Sequence, residues 1–179
     1  MKYQVVISGF GGQGVVFLVK VLSIASNLKN LKFIGTENHG MSQRGGSVSC
    51  YVKIGDFFAP SIDKGQADLL IALEANEGLR NIQFLRQDMG EIAINADKNF
   101  PNLKYKTIKI DVFEKAKNRE LPIQALNVYM LGVVLAKIEN FPFSQNEIEE
   151  AIRVMNKSVA DENIAVLHKA IDDANKEIK

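Results

Sequence analysis

Tyr3-Gln4-Val5-Val6-Ile7-Ser8 runs directly into Gly9-Phe10-Gly11-Gly12-Gln13-Gly14. The first six residues are rich in β-branched side chains and read as a buried parallel strand. The glycines fall in the spacing G-x-G-x-x-G on Gly9, Gly11 and Gly14, with Gly12 added. Beyond them Val15, Val16, Leu18, Val19, Leu22, Ala25 and Leu28 recur mostly at steps of three and four, which predicts a helix over 15–28 packed on a sheet. A glycine turn between a strand and a helix opens a Rossmann-like α/β domain. Glycine allows a tight turn and close approach by a ligand or a second backbone. Bare N–H groups at the helix start favour an anion. The same turn serves equally well as a purely structural bend or a subunit contact. A NAD site also needs an acid about 20 residues on, at the end of the second strand. Glu37, 23 residues after Gly14, is the nearest candidate, and it stands in a polar loop.

Working outward, Lys32 to Gly35 predicts a second strand. Ser47 to Ile54 alternates, with Val48, Cys50, Val52 and Ile54 on one face of a half-buried strand. Gly55-Asp56 is a turn signal and Pro60 a breaker. Ala67–Leu73, Glu91–Asn95 and Tyr105–Ile110 are further strands, with a short helix from Ala75 to Phe84. Pro122 to Ile138 predicts a helix with proline in its first turn. Ser144-Gln145-Asn146-Glu147 is a capping box, with Phe143 and Ile148 at staple positions. Ile164, Leu167, Ile171, Ala174 and Ile178 form one apolar stripe on a last helix, and His168 beside it reads as a solvated surface residue. Alternating strands and helices predict an α/β fold, Rossmann-like, with a mainly parallel sheet flanked by helices and a helical C-terminal segment. The whole of 1–179 is expected to be one domain.

Composition narrows the function. A net charge of +1 gives no field for nucleic acid or an anionic membrane. Apolar runs stay short of the roughly 20 residues a bilayer span needs. The start, Met1-Lys2-Tyr3-Gln4, lacks the apolar stretch of a signal peptide, so a cytoplasmic location is expected. One cysteine, Cys50, excludes an internal disulfide and a multi-thiolate zinc or iron–sulfur site, and it reads as a packed core thiol. Two histidines far apart, His39 and His168, make a metal site unexpected.

Residues 36–46, Thr-Glu-Asn-His-Gly-Met-Ser-Gln-Arg-Gly-Gly, are polar and aperiodic, so they read as a loop. His39 is a candidate proton relay. Arg44 suits a phosphate or carboxylate. The alternative is a solvated connection with Arg44 in a surface ion pair. The glycines here cost entropy to fix, so the loop is expected to be mobile in the isolated chain.

Several ordered strings carry a resemblance. They are Gly9-Phe10-Gly11-Gly12-Gln13-Gly14-Val15-Val16, His39-Gly40-Met41-Ser42-Gln43-Arg44-Gly45-Gly46-Ser47-Val48, Ile54-Gly55-Asp56 and Pro60-Ser61-Ile62. Gly65-Gln66-Ala67-Asp68-Leu69-Leu70, Ala72-Leu73-Glu74, Leu79-Arg80 and Asn127-Val128-Tyr129-Met130-Leu131-Gly132 follow. Together they resemble the small, γ-type subunit of 2-oxoacid:ferredoxin oxidoreductases. The 39–46 string is most similar to the β subunit of indolepyruvate ferredoxin oxidoreductases. The resemblance implies a subunit inactive alone, in an enzyme that converts a 2-oxoacid and coenzyme A to an acyl-CoA, carbon dioxide and reduced ferredoxin. It implies a large partner subunit that carries thiamine diphosphate and [4Fe-4S] clusters, with ferredoxin as electron acceptor and coenzyme A as co-substrate. Gly9, Gly11, Gly12, Gln13, Gly14, Ser42, Gln43 and Arg44 are then candidates for a wall of the shared cleft.

This chain departs from the family in Ala75-Asn76-Glu77-Gly78, where the resemblance expects Pro-Leu-Glu-Ala, and little chemical effect is expected there. Gly55-Asp56 with the lone Asn81 reads as a chance match to a thiamine motif. Rival readings are a small subunit acting on pyruvate, 2-oxoisovalerate or 2-oxoglutarate, and a free-standing NAD(P)-binding Rossmann protein. A third is an assembly domain whose glycine loops only pack against a neighbour.

Overall fold

A computed structural model describes residues 1–39 and 45–176. In chain order the elements are β1 (Lys2–Phe10), α1 (Val15–Leu28), β2 (Phe33–His39), β3 (Ser47–Gly55), β4 (Leu69–Ala72), α2 (Ala75–Asn81), β5 (Glu91–Asn95) and β6 (Lys106–Ile110). Then come α3 (Val112–Lys117), α4 (Leu126–Lys137), α5 (Gln145–Met155) and α6 (Ala160–Lys176). The strands form one sheet in the order β2-β3-β1-β4-β5-β6. From β1 through β4 and β5 to β6 every pairing is parallel. On the other side β3 pairs antiparallel with both β1 and β2.

Side chains alternate across this sheet and supply two cores. Val5, Ile7, Leu69, Ile71 and Ala93 face a thick layer with residues from α1, α4, α5 and α6. Val6, Leu70, Ala72, Ile92 and Ile94 face a thinner layer closed by Ile62, Leu85 and the segment after α2. Each fully buried Leu or Ile contributes about 1.5–3 kcal/mol, so the thick layer dominates stability. Close packing there needs Gly132: a Cβ on it would stand 2.6 Å from Ala170 Cβ, which lets α4 lie against α6.

The C-terminal helices form as their caps direct. Ser144 N–H donates to Glu147 Oε2 at 2.7 Å, and Glu147 N–H donates to Ser144 Oγ at 3.4 Å. Phe143 and Ile148 are both buried. Ile164, Leu167 and Ala174 are buried along α6, with Ile171 half-buried beside them, while Ile178 lies outside the described residues. His168 is exposed, yet it is paired: its Nε2 lies 2.6 Å from Glu149 Oε1 and ties α6 to α5.

Three expectations need correction. β1 is parallel only to β4, because the 47–55 strand lies antiparallel along its other side. The second strand does not stop at Gly35 but runs to His39, so Thr36, Glu37 and Asn38 are strand and not loop. Antiparallel pairing to β3 holds these polar residues at the sheet edge, where no apolar pattern is required. The helix expected from Pro122 begins at Leu126, since Ile123–Ala125 makes a tighter 3₁₀ turn first. Helix α3 had no sequence counterpart; it is six residues long, and Val112 alone is buried.

Candidate functional site

The glycine turn leaves the carboxyl end of β1. Its walls are built by backbone more than by side chains. Gln13 N–H donates to Phe10 O at 3.1 Å, and Phe10 N–H donates to Gln13 Oε1 at 2.7 Å. Gln13 therefore closes the turn with its own side-chain oxygen. A Cβ on Gly9 would stand 2.7 Å from that oxygen and 3.1 Å from Leu73 Cβ, so a side chain there would displace the Gln13 closure. Gly12 and Gly14 have φ of +93° and +85°, in the left-handed region. Gly14 is also the N-cap of α1, with no side-chain cap on the first-turn N–H groups. Asn127 of α4 presses on it, its Nδ2 donating to Gly14 O at 3.4 Å.

Across from the turn stands the start of β3. Gly11 N–H donates to Gly46 O at 2.9 Å. A Cβ on Gly11 would lie 3.2 Å from Gly45 N, so the two glycine segments nearly touch. Between them opens a cleft of about 360 Å³, lined by Phe10, Gly11, Gly12, Gly14, Val15 and Val16 on one side and Gly45 to Val48 on the other. It sits at the carboxyl end of β1, between the turn into α1 and the start of antiparallel β3. Bare N–H groups at the start of α1, in a cleft whose glycines offer no side chains, suit an anionic group.

Of the expected turn residues, Gly11, Gly12 and Gly14 line the cleft, whereas Gly9 and Gln13 stand behind it and shape the turn. Ser42, Gln43 and Arg44 lie outside the described residues, as does the side chain of His39. The backbone of His39 ends β2 opposite Val48, and Arg44 is bonded to Gly45 of the cleft wall. The expected mobility of the loop likewise concerns 40–44, outside the described residues. Neither Ser47 nor Glu77 carries a role in the sequence reading, although both stand in strings quoted above. Glu77 is buried at 1% exposure in the thin layer. Its Oε2 accepts the Ser47 hydroxyl at 2.5 Å, and its Oε1 accepts Arg80 Nη1 at 2.9 Å. The 75–78 stretch thus has consequences: a Cβ on Gly78 would stand 2.7 Å from Ala72 Cβ, so this glycine brings α2 onto the sheet. An acid one position before a glycine in a short helix was the available signal.

Other groups fit poorly in this chain. Cys50 is fully buried, and burial first, then Glu37, pushes its thiol up to about 12. A neutral, enclosed thiol does not hold a cluster. Gly55-Asp56 ends β3 beside Lys2, whereas the cleft lies at Ser47 beside Phe10. About 3.4 Å per residue sets those ends roughly 27 Å apart, and Asp56 is paired with Lys32 there. Asn81 Nδ2 is bonded to Glu77 O. These three residues do not assemble a thiamine site. The NAD reading fails on topology. In a dinucleotide fold the second strand lies next to the first. Here β3 intervenes, so Glu37 stands two strand spacings, roughly 10 Å, from β1. Among the described residues no His, Cys, Asp and Glu group suits a metal, and no helix is long and apolar enough to cross a membrane.

Known proteins are similar to the chain along its length. The family model described as "Pyruvate ferredoxin/flavodoxin oxidoreductase" matches residues 4–172. The chain is 32% identical to indolepyruvate oxidoreductase subunit IorB of Archaeoglobus fulgidus, covering 97% of this chain and 96% of that protein. It is 32% identical to the protein of the same name from Pyrococcus horikoshii, covering 96% and 93%. The solved γ subunit of a keto/oxoacid ferredoxin oxidoreductase from Geobacter sulfurreducens superposes with a TM-score of 0.78 at 22% identity, covering 97% of this chain and 99% of that one. A 2-oxoglutarate:ferredoxin oxidoreductase from Magnetococcus marinus, solved with 2-oxoglutarate, coenzyme A and succinyl-CoA, gives 0.76 at 15% identity, and the match covers 98% of this chain and 30% of that longer one. The two structural likenesses carry the fold alone.

Proposed function

The chain belongs to the pyruvate ferredoxin/flavodoxin oxidoreductase family, and we propose that it is the small, γ-type subunit of an indolepyruvate-type 2-oxoacid:ferredoxin oxidoreductase. The observation that carries this reading is 32% identity to subunits named for indolepyruvate, spread over nearly all of both chains. The complex converts an aryl 2-oxoacid and coenzyme A to acyl-CoA and carbon dioxide, and two electrons pass to ferredoxin. Thiamine diphosphate and [4Fe-4S] clusters, when bound in the large partner subunit, supply the carbon chemistry and the electron path. The chain acts as one domain that completes the active-site cleft.

Its own residues have narrower tasks. The α1 start after Gly14 receives a phosphate of coenzyme A through backbone N–H groups. Gly11, Gly12, Gly45 and Gly46 leave room for that approach. Arg44, next to Gly45, adds charge, with Ser42 and Gln43 as further contacts and His39 as the candidate proton relay. Affinity purification of the tagged chain from its native cell tests the assembly. A co-purifying large subunit with iron–sulfur absorbance is expected; a chain recovered without one overturns the reading. In that complex, Arg44→Ala raises the apparent KM for coenzyme A, and an unchanged KM removes Arg44 from the site.

A further inference from the structure

A buried carboxylate stands just behind the cleft. Glu77 does not line the cleft, but Ser47, which donates to it, does. A carboxylate in such a place is costly unless it is hydrogen-bonded. Here one oxygen takes the Ser47 hydroxyl and the other takes Arg80, whose side chain is 70% exposed and brings its charge in from solvent. The reach is set by Gly78, which seats α2 against Ala72 and Ile94. On the far side of Ser47, Gly46 O accepts Gly11 N–H. A continuous chain of contacts thus runs from α2 through Ser47 and Gly46 to the glycine turn. We propose that Glu77 is a positioning residue for the coenzyme end of the cleft, acting through Ser47 to hold the Gly45–Val48 wall against the turn. This rests on the reading that coenzyme A enters the cleft.

The latch explains why a charge is kept beside a mostly apolar layer. Removing either partner leaves the other without its bond and loosens the wall, which then rests on the β1–β3 ladder and the Gly11–Gly46 bond alone. The ligand contacts themselves stay intact, so binding suffers before chemistry does.

The test uses the complete complex. Ser47→Ala and Glu77→Ala each raise KM for coenzyme A about five- to tenfold, the loss of one hydrogen bond, with kcat nearly unchanged. The double variant is no worse than the worse single one, because both break the same contact. Ser47→Thr keeps the hydroxyl and restores KM. Glu77→Gln, which keeps an acceptor, replaces Glu77→Ala if that variant does not fold, and shows a smaller rise. Additive effects would mean that Ser47 meets the coenzyme directly, and unchanged KM values would remove the latch; either overturns the proposal. Hydrogen exchange at Gly11 N–H in the full isolated chain reads the same wall without turnover. Ser47→Ala speeds it roughly tenfold if the latch holds, and an unchanged rate overturns it. A wild-type complex with no dependence on coenzyme A removes the functional reading instead and leaves the exchange result standing.

Discussion

At the scale of single residues, the glycine turn separates two kinds of requirement. Gly12 has φ of +93° with open space around its missing Cβ, whereas Gly14 has φ of +85° and Asn127 against it. Gly12→Ala is expected to cost about 1 kcal/mol, from backbone strain alone. Gly14→Ala adds the displacement of Asn127 and is expected to cost about 2 kcal/mol or more, a fall in Tm of roughly 4–8 °C. Thermal melts of both variants check this, and equal losses would contradict it. Cys50 gives a second expectation. Its buried thiol, raised to about 12, resists alkylation at pH 8 in the folded chain and reacts only in denaturant. Mass spectrometry of iodoacetamide-treated protein reads this directly. The glycines and the core thiol were legible in the sequence because glycine spacing and strand alternation are local signals. Glu77 was not, because its meaning comes from Ser47, thirty residues earlier and on another element.

At the scale of elements, legibility followed the strength of the apolar pattern. α1 runs from Val15 to Leu28 as the spacing predicts, since one face packs into the thick core. α5 starts after Ser144 because its capping box is complete. β2 was read short because Thr36-Glu37-Asn38 has no pattern, and its partner β3 decides its length. α3 was missed because six residues with one buried side chain leave no period to detect. The α5–α6 pair also responds to acid. Burial alone would raise Glu147, Glu149 and Asp173, but hydrogen bonds outweigh it. Ser144 and Lys29 hold Glu147 below its ordinary value; His168 and Gln145 do so for Glu149, and Lys169 and Tyr129 for Asp173. Groups lowered on folding add stability that is present above the unfolded pKa and lost as pH falls through the folded one. Stability is therefore expected to hold down to about pH 4.5 and decline below it. His168→Ala, which removes a partner of Glu149, makes that decline shallower. A Tm against pH series between 3 and 6 reads both, and a variant with the wild-type slope would contradict the assignment.

At the scale of the whole molecule, the sheet order turns a familiar motif to a different use. A strand inserted antiparallel between β1 and β2 moves Glu37 away from the turn and brings Gly45 and Gly46 in its place. The isolated chain is accordingly expected to give no response in a fluorescence titration with NADH. A cleft walled by glycine backbone, apolar side chains and Ser47 has little catalytic equipment among its described residues, as a subunit that completes a partner's active site would. The most direct test is to assemble the chain with its large subunit and follow ferredoxin reduction by indolepyruvate with and without coenzyme A. Reduction is expected to require both subunits and coenzyme A and to run faster with indolepyruvate than with pyruvate, 2-oxoisovalerate or 2-oxoglutarate. Undiminished turnover by the large subunit alone would contradict it.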